Sequence, residues 1–121
     1  MKLYTLQIAH YKAAIREQLL MYDTTVKSGG NSPFKPTWDI VRRHKDGELT
    51  DAEYTAIYTD LMRESYRTRR TEWISFLTQE RAVVACYCNS TNFCHRFVLV
   101  EILAKVAAYH NIPFTYAGEL K

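Results

Sequence analysis

The sequence predicts an α/β fold: one small domain over residues 1–121, its partly parallel sheet flanked by helices in a three-layer, Rossmann-like or flavodoxin-like arrangement. Three observations lead there. Apolar runs of strand length alternate with stretches of helical periodicity along the chain. The last unit reads strand, loop, helix, strand, the right length for one crossover between parallel strands. With 121 residues and a hydrophobic fraction of 47%, the chain fills one core and has no room for a second.

Lys2–Ala9 alternates Leu3, Thr5 and Gln7 with Tyr4, Leu6 and Ile8, as a first strand should. Leu19–Val26 is the second expected strand. Its continuous run Leu19, Leu20, Met21, Tyr22 suits a strand buried on both faces. Lys27–Pro36 follows as a long loop, where two glycines and two prolines exclude regular structure. Loops of this length are more often functional than idle. Thr37 is placed to cap a short helix through Arg43 that carries Trp38 and Val41 inward. Thr50 and Glu53 have capping-box spacing, and the helix beyond them aligns Tyr54, Ile57, Tyr58, Leu61 and Ser65. A further helix runs through Trp73, Ile74 and Leu77. Ala82–Cys88 is the clearest strand and Phe97–Tyr109 the clearest helix, with Val98, Leu99, Ile102, Leu103 and Val106 as its core stripe. Asn111 and Pro113 end that helix, and Phe114–Ala117 closes the sheet.

The net charge of +3 suits attraction to an anionic small molecule better than general nucleic-acid binding. Arg42, Arg43, His44 and Lys45, and separately Arg63, Arg67, Arg69 and Arg70, read as solvated helix faces. Met1–Ala9 lacks the pattern of a secretory leader, and no apolar run reaches the ~20 residues that span a bilayer. Three cysteines are an odd count, which argues against a disulfide framework and for free thiols in the cytoplasm. Nine tyrosines permit a homodimer without requiring one.

The segment that carries chemistry is Ala85–Arg96, joining the best strand to the best helix. Ligands of open α/β sheets bind beyond the carboxyl ends of strands, and a helix start offers amides and a favourable dipole to an anion. Asn89, Ser90, Thr91 and Asn92 add neutral donors, and Arg96 adds a guanidinium able to grip an oxyanion. No acidic residue lies between Glu80 and Glu101. Against this, Asn, Ser and Thr are routine turn and cap residues. Cys86, Cys88, Cys94 and His95 could supply a zinc site, but Cys-x-Cys on a strand is tight for one tetrahedral ion, and no metal or other cofactor is expected. Cys88 or Cys94 could be a nucleophile with His95 as acid or base, although the phosphatase spacing Cys-x5-Arg is absent. A small-hydrophobe role suits Cys86 better.

The run Cys86–Arg96, with its Cys-Tyr-Cys and Phe-Cys-His-Arg elements before an apolar helix, resembles the signature of the domain of unknown function 488 family. Asp23–Gly29, Phe34–Trp38 and Glu53–Tyr58 are similar to its earlier segments, so the resemblance spans about Leu20 to Leu103. That family occurs in bacteria, archaea and phages and has a compact α/β fold with no settled activity. The resemblance implies that Thr25, Lys27, Ser28, Trp38, Tyr58, Cys88, Cys94, His95 and Arg96 converge on one cleft.

The expectation is therefore a binder of a phosphorylated, nucleotide-derived ligand in a cleft between the loops after strands 19–26 and 82–88. Its contacts would be Thr24, Thr25, Lys27, Ser28, Trp38, Tyr58, Asn89, Ser90, Thr91, Cys94, His95 and Arg96, with Lys27 and Arg96 facing one anion from two sides. In a phage, such a binder would sequester a nucleotide immune signal. The alternative is an enzyme acting on a nucleotide or nucleic acid through Cys88 or Cys94 and His95. A plain nucleic-acid binder using both arginine groups ranks third.

Overall fold

A computed structural model describes residues 1–87 and 93–121. Its four strands, β1 (Lys2–Gln7), β2 (Met21–Asp23), β3 (Arg81–Cys86) and β4 (Thr115–Leu120), form one sheet in the order β2-β3-β1-β4. Every recorded pairing is parallel. Five α-helices lie among the described residues: α1 (Tyr11–Arg16), α2 (Trp38–Lys45), α3 (Asp51–Thr68), α4 (Arg70–Leu77) and α5 (His95–Tyr109). The three-layer α/β arrangement expected from the sequence is the one observed.

Alternation along the strands divides the core in two. Leu3, Ala82 and Val84 face a large cluster built from α2 to α5, with Trp73, Tyr58, Leu99 and Leu103 fully buried. Leu6, Val83 and Ala85 face a smaller cluster closed by Ala13 and Ala14 of α1. Helix α1 has no counterpart in the elements expected from sequence, and it explains the short second strand. Gln18 takes a left-handed φ of 56°, and the amide of Leu19 donates to the carbonyl of Ala14 at 2.8 Å. The helix end thus consumes Leu19 and Leu20, so β2 starts at Met21 rather than at residue 19. Strand β1 likewise stops at Gln7, because Ile8–His10 form a 3-10 turn leading into α1.

The caps behave as the sequence requires. Thr37 accepts from the amide of Ile40, and Thr50 with Glu53 completes a reciprocal capping box. Asn111 adopts φ 57°, the left-handed turn that ends α5. Orientation of α2 differs from expectation: Ile40 is the residue it buries, whereas Trp38 is 59% exposed.

Loop 24–37 is held down along its length. Phe34 plugs the large cluster edge-on against Trp73 and Phe76, each with ring centroids 5.0 Å away. From α3, Tyr58 Oη donates to the carbonyl of Phe34 at 2.6 Å and Ser65 Oγ to that of Pro33 at 2.6 Å. The hydroxyl of Tyr58 is wholly buried, and desolvation keeps its pKa well above the usual tyrosine value. Tyr58→Phe strands a buried carbonyl, so it should cost about 1–3 kcal/mol in urea unfolding; an unchanged midpoint would show that the bond contributes nothing.

Candidate functional site

A cleft of about 380 Å³ opens beyond the carboxyl ends of β2 and β3. Its first wall is the loop after β2. Asp23 accepts from the amide and hydroxyl of Thr25 at 2.9 and 2.7 Å and from the hydroxyl of Ser28. Because the Ser28 proton is spent on Asp23, Tyr87 Oη donates to Ser28 Oγ, at 3.0 Å, and links this loop to the end of β3. Gly29 completes the turn: a Cβ there would stand 2.3 Å from the carbonyl oxygen of Thr25, so no side chain fits.

The second wall is α2. Trp38 stands at the cleft edge with Val41, His44 and Lys45 beside it, and Lys27 faces them from the first wall with Nζ 5.9 Å from the Tyr87 ring centroid. Tyr54 and Phe93 line the interior, in edge-to-face contact at 5.4 Å. His44 Nε2 lies 2.7 Å from Asp51 Oδ1. Among the described lining residues there are two lysines and two histidines but no carboxylate.

At the floor, His95 is almost fully buried. Its Nε2 sits 3.0 Å from the Thr24 carbonyl and 3.0 Å from Thr24 Oγ1, whose own proton goes to the carbonyl of Ala85 at 2.9 Å. A carbonyl can only accept, so Nε2 carries the hydrogen and Nδ1 keeps its lone pair, 4.0 Å from Cys94 Sγ. Burial, aided by the Arg96 charge and opposed by the Thr24 bond and Asp23, lowers the His95 pKa to about 4. The ring is neutral at pH 7.

Several expectations change here. Arg96 has no exposed surface and does not line the cleft. It forms a bidentate pair with Glu119 of β4 at 3.1 and 2.7 Å and donates to Cys86 Sγ at 3.0 Å. It therefore does not stand opposite Lys27 across an anion. Burial would raise the Glu119 pKa, but hydrogen bonds from Arg96 and Thr5 outweigh it and hold the carboxylate ionised below its usual range. Tyr58, Thr24 and Ser28 do not line the cleft either, and their hydroxyls serve the internal bonds above. Thr25, Lys27, Trp38, Cys94 and His95 are the expected contacts that do line it.

The cysteines are not all separate thiols: Cys86 and Cys94 are paired sulfur to sulfur at the cleft floor. Cys88, Asn89, Ser90 and Thr91 lie outside the described residues, as does Asn92. Among the described residues no three metal-ligating side chains gather.

The arginine groups are largely spent. Arg42 meets Asp39, Asp46 and Glu48, Arg63 meets Asp60, Arg67 meets Glu64, and Arg69 meets Glu72. His44 and Lys45 depart from the solvated-face reading because the end of α2 turns them to the cleft. Helical phase alone does not reveal that. Asp23 was detectable in principle, since Asp-x-Thr is the spacing of a turn closed by a carboxylate on the amide two residues on.

Fold and cleft define a small parallel α/β domain whose candidate site lies at the strand ends. The chain belongs to the DUF488 family: the model described as the active DUF488-N3 subclade, DUF488-N3a, matches residues 4–107. No curated protein sequence and no solved structure matches significantly. No helix of the described residues is long and apolar enough to cross a membrane.

Two outcomes test this geometry. Arg96→Ala leaves Glu119 as an uncompensated, nearly buried carboxylate, so it should destabilise the protein by about 3–5 kcal/mol. Wild-type stability in urea would mean that the pair is immaterial. For His95, the unfolded chain binds the extra proton below about pH 6.5 and the folded one only below about 4, so stability should fall as pH drops through that window. The loss is on the order of 3 kcal/mol. His95→Gln, which can still donate to Thr24, should flatten that part of the profile; a wild-type slope in the variant would refute the assignment.

Proposed function

We propose that the chain binds a nucleotide-like ligand, a flat ring carrying an anionic group, in the cleft between loop 24–37 and the β3–α5 junction. The observation that carries this reading is the pairing of aromatic walls with lysines at one opening. Trp38 is exposed at the cleft edge, Tyr87 is half exposed opposite the loop, and Lys27 and Lys45 approach from different elements. Stacking on an indole tolerates any base, while lysine ammonium groups suit phosphate oxygens. The lack of a carboxylate among the described lining residues removes one source of repulsion. Intact capture of such a ligand is the role a sequestering protein of a phage would play.

A second reading, turnover of the ligand, draws on one specific feature. His95 Nδ1 presents its lone pair 4.0 Å from Cys94 Sγ at the start of α5, a base beside a thiol that would have to close up to activate it. The word "active" in the family description also favours it. Pairing of Cys94 with Cys86 counts against it in the oxidised protein, because a disulfide sulfur is not a nucleophile.

Thermal shift against a panel of mono-, di- and cyclic nucleotides separates the possibilities. A ligand at a hundredfold excess over its Kd should add about 2.7 kcal/mol, or several degrees of melting temperature. Lys27→Ala and Lys45→Ala should each weaken binding on the order of tenfold. Ligand recovered unchanged after heat release supports binding alone, and altered ligand supports an enzyme. The binding reading is lost if no panel member shifts the melt, or if the shift survives in the double variant.

A further inference from the structure

We propose that Cys86 and Cys94 form a redox-active dithiol at the cleft floor, with small disulfides as its co-substrate class. The two residues come from different elements, the last position of β3 and the N-cap of α5, and their sulfurs meet. Their neighbours favour the reduced, ionised form. Arg96 Nη1 donates to Cys86 Sγ at 3.0 Å, so a guanidinium stands against that sulfur. Cys94 makes no side-chain capping bond and sits at the amino end of the 15-residue α5, where helix amides and dipole stabilise a thiolate. His95 Nδ1 offers the Cys94 hydrogen an acceptor at 4.0 Å.

A positive environment stabilises thiolates but does little for a neutral disulfide. It therefore makes the bond easier to reduce, as in dithiol oxidants whose reduced form is favoured. Arg96 also serves the fold through its pair with Glu119, so ease of reduction, rather than the pairing itself, separates a redox pair from a structural staple. Each cysteine exposes about 1–2% of its surface and both line the cleft, so a co-substrate must be small and must enter there.

The exchange balances in two steps. The Cys94 thiolate attacks one sulfur of a disulfide RSSR, the S–S bond breaks, and the first RS⁻ leaves to be protonated. The Cys86 thiolate then attacks the Cys94 sulfur of the mixed disulfide and expels the second RS⁻. Two protein thiols have given up two electrons and two protons, and RSSR has become two RSH.

The test uses the full chain, reduced and desalted, then exposed to hydroxyethyl disulfide and quenched with iodoacetamide. Denatured labelling should count three alkylated cysteines before oxidation, one after it, and three again after dithiothreitol. Chymotrypsin cuts after Tyr87 and Phe93 and so separates Cys86, Cys88 and Cys94 onto different peptides. The linked pair should contain Cys86 and Cys94. Cys86→Ser should stop at a mixed disulfide on Cys94, and Cys88→Ser should oxidise as the wild type does. The proposal is overturned if the link maps to Cys88, if three thiols persist in the folded protein, or if the bond resists excess reductant until the chain is unfolded. No nucleotide enters the assay, so its result is independent of the binding reading.

Discussion

A guanidinium with no exposed surface has to be neutralised where it stands, and in this fold that requirement ties three elements together. Arg96 opens the second position of α5, Glu119 belongs to edge strand β4, and Cys86 ends β3. Glu119 lies opposite Thr5 in the β1–β4 register, so the carboxylate reaches back over the sheet to meet the helix start. A buried ion pair of this kind adds little net stability compared with apolar packing, yet it is costly to break and tolerates few geometries. It fixes the first turn of α5 against two strands, and with it the directions of Cys94 and His95.

The opposite wall is fixed by separate means. Asp23 folds the chain back directly after a three-residue strand, and α3 then holds the loop through Tyr58 and Ser65 on consecutive carbonyls. Thr24 joins the two halves: its hydroxyl donates to Ala85 on β3, while its carbonyl and hydroxyl oxygens receive His95 Nε2 from α5. The loop after β2, strand β3 and helix α5 thus converge on one threonine. The cleft lies where they converge.

Much of this architecture was legible in the sequence, because the signals for elements are local. The capping box at Thr50, the Thr37 cap and the Asn111 turn depend on neighbours within a few residues, and each formed as read. The placement of the cleft followed from the rule for strand ends in parallel sheets. What escaped was long-range pairing of charge. Between Glu80 and Glu101 the chain has no acid, so Arg96 looked available, but its partner arrives 23 residues later on a different strand. Nothing in spacing or composition links those positions. The inward reading of Trp38 failed for a related reason: an eight-residue helix has few buried positions, and Ile40 occupies the one that faces the core.

Once Arg96 is assigned to structure, the positive charge available to a ligand has to come from elsewhere, and that reshapes the site. Lys27 and Lys45 stand near the opening, on the loop after β2 and at the end of α2, whereas the sulfurs and the neutral imidazole lie at the floor. An anionic group bound by the lysines would stay near water, where its desolvation cost is small, and would leave its flat portion against Trp38, Tyr54 or Phe93. On the proposals above, recognition would fall to Lys27, Trp38, Lys45 and Tyr54, and thiol chemistry to Cys86 and Cys94. The two walls share supporting bonds as well as a cleft, since Tyr87 Oη donates to Ser28 Oγ and Tyr54 packs on Phe93, so a change in one wall is felt in the other.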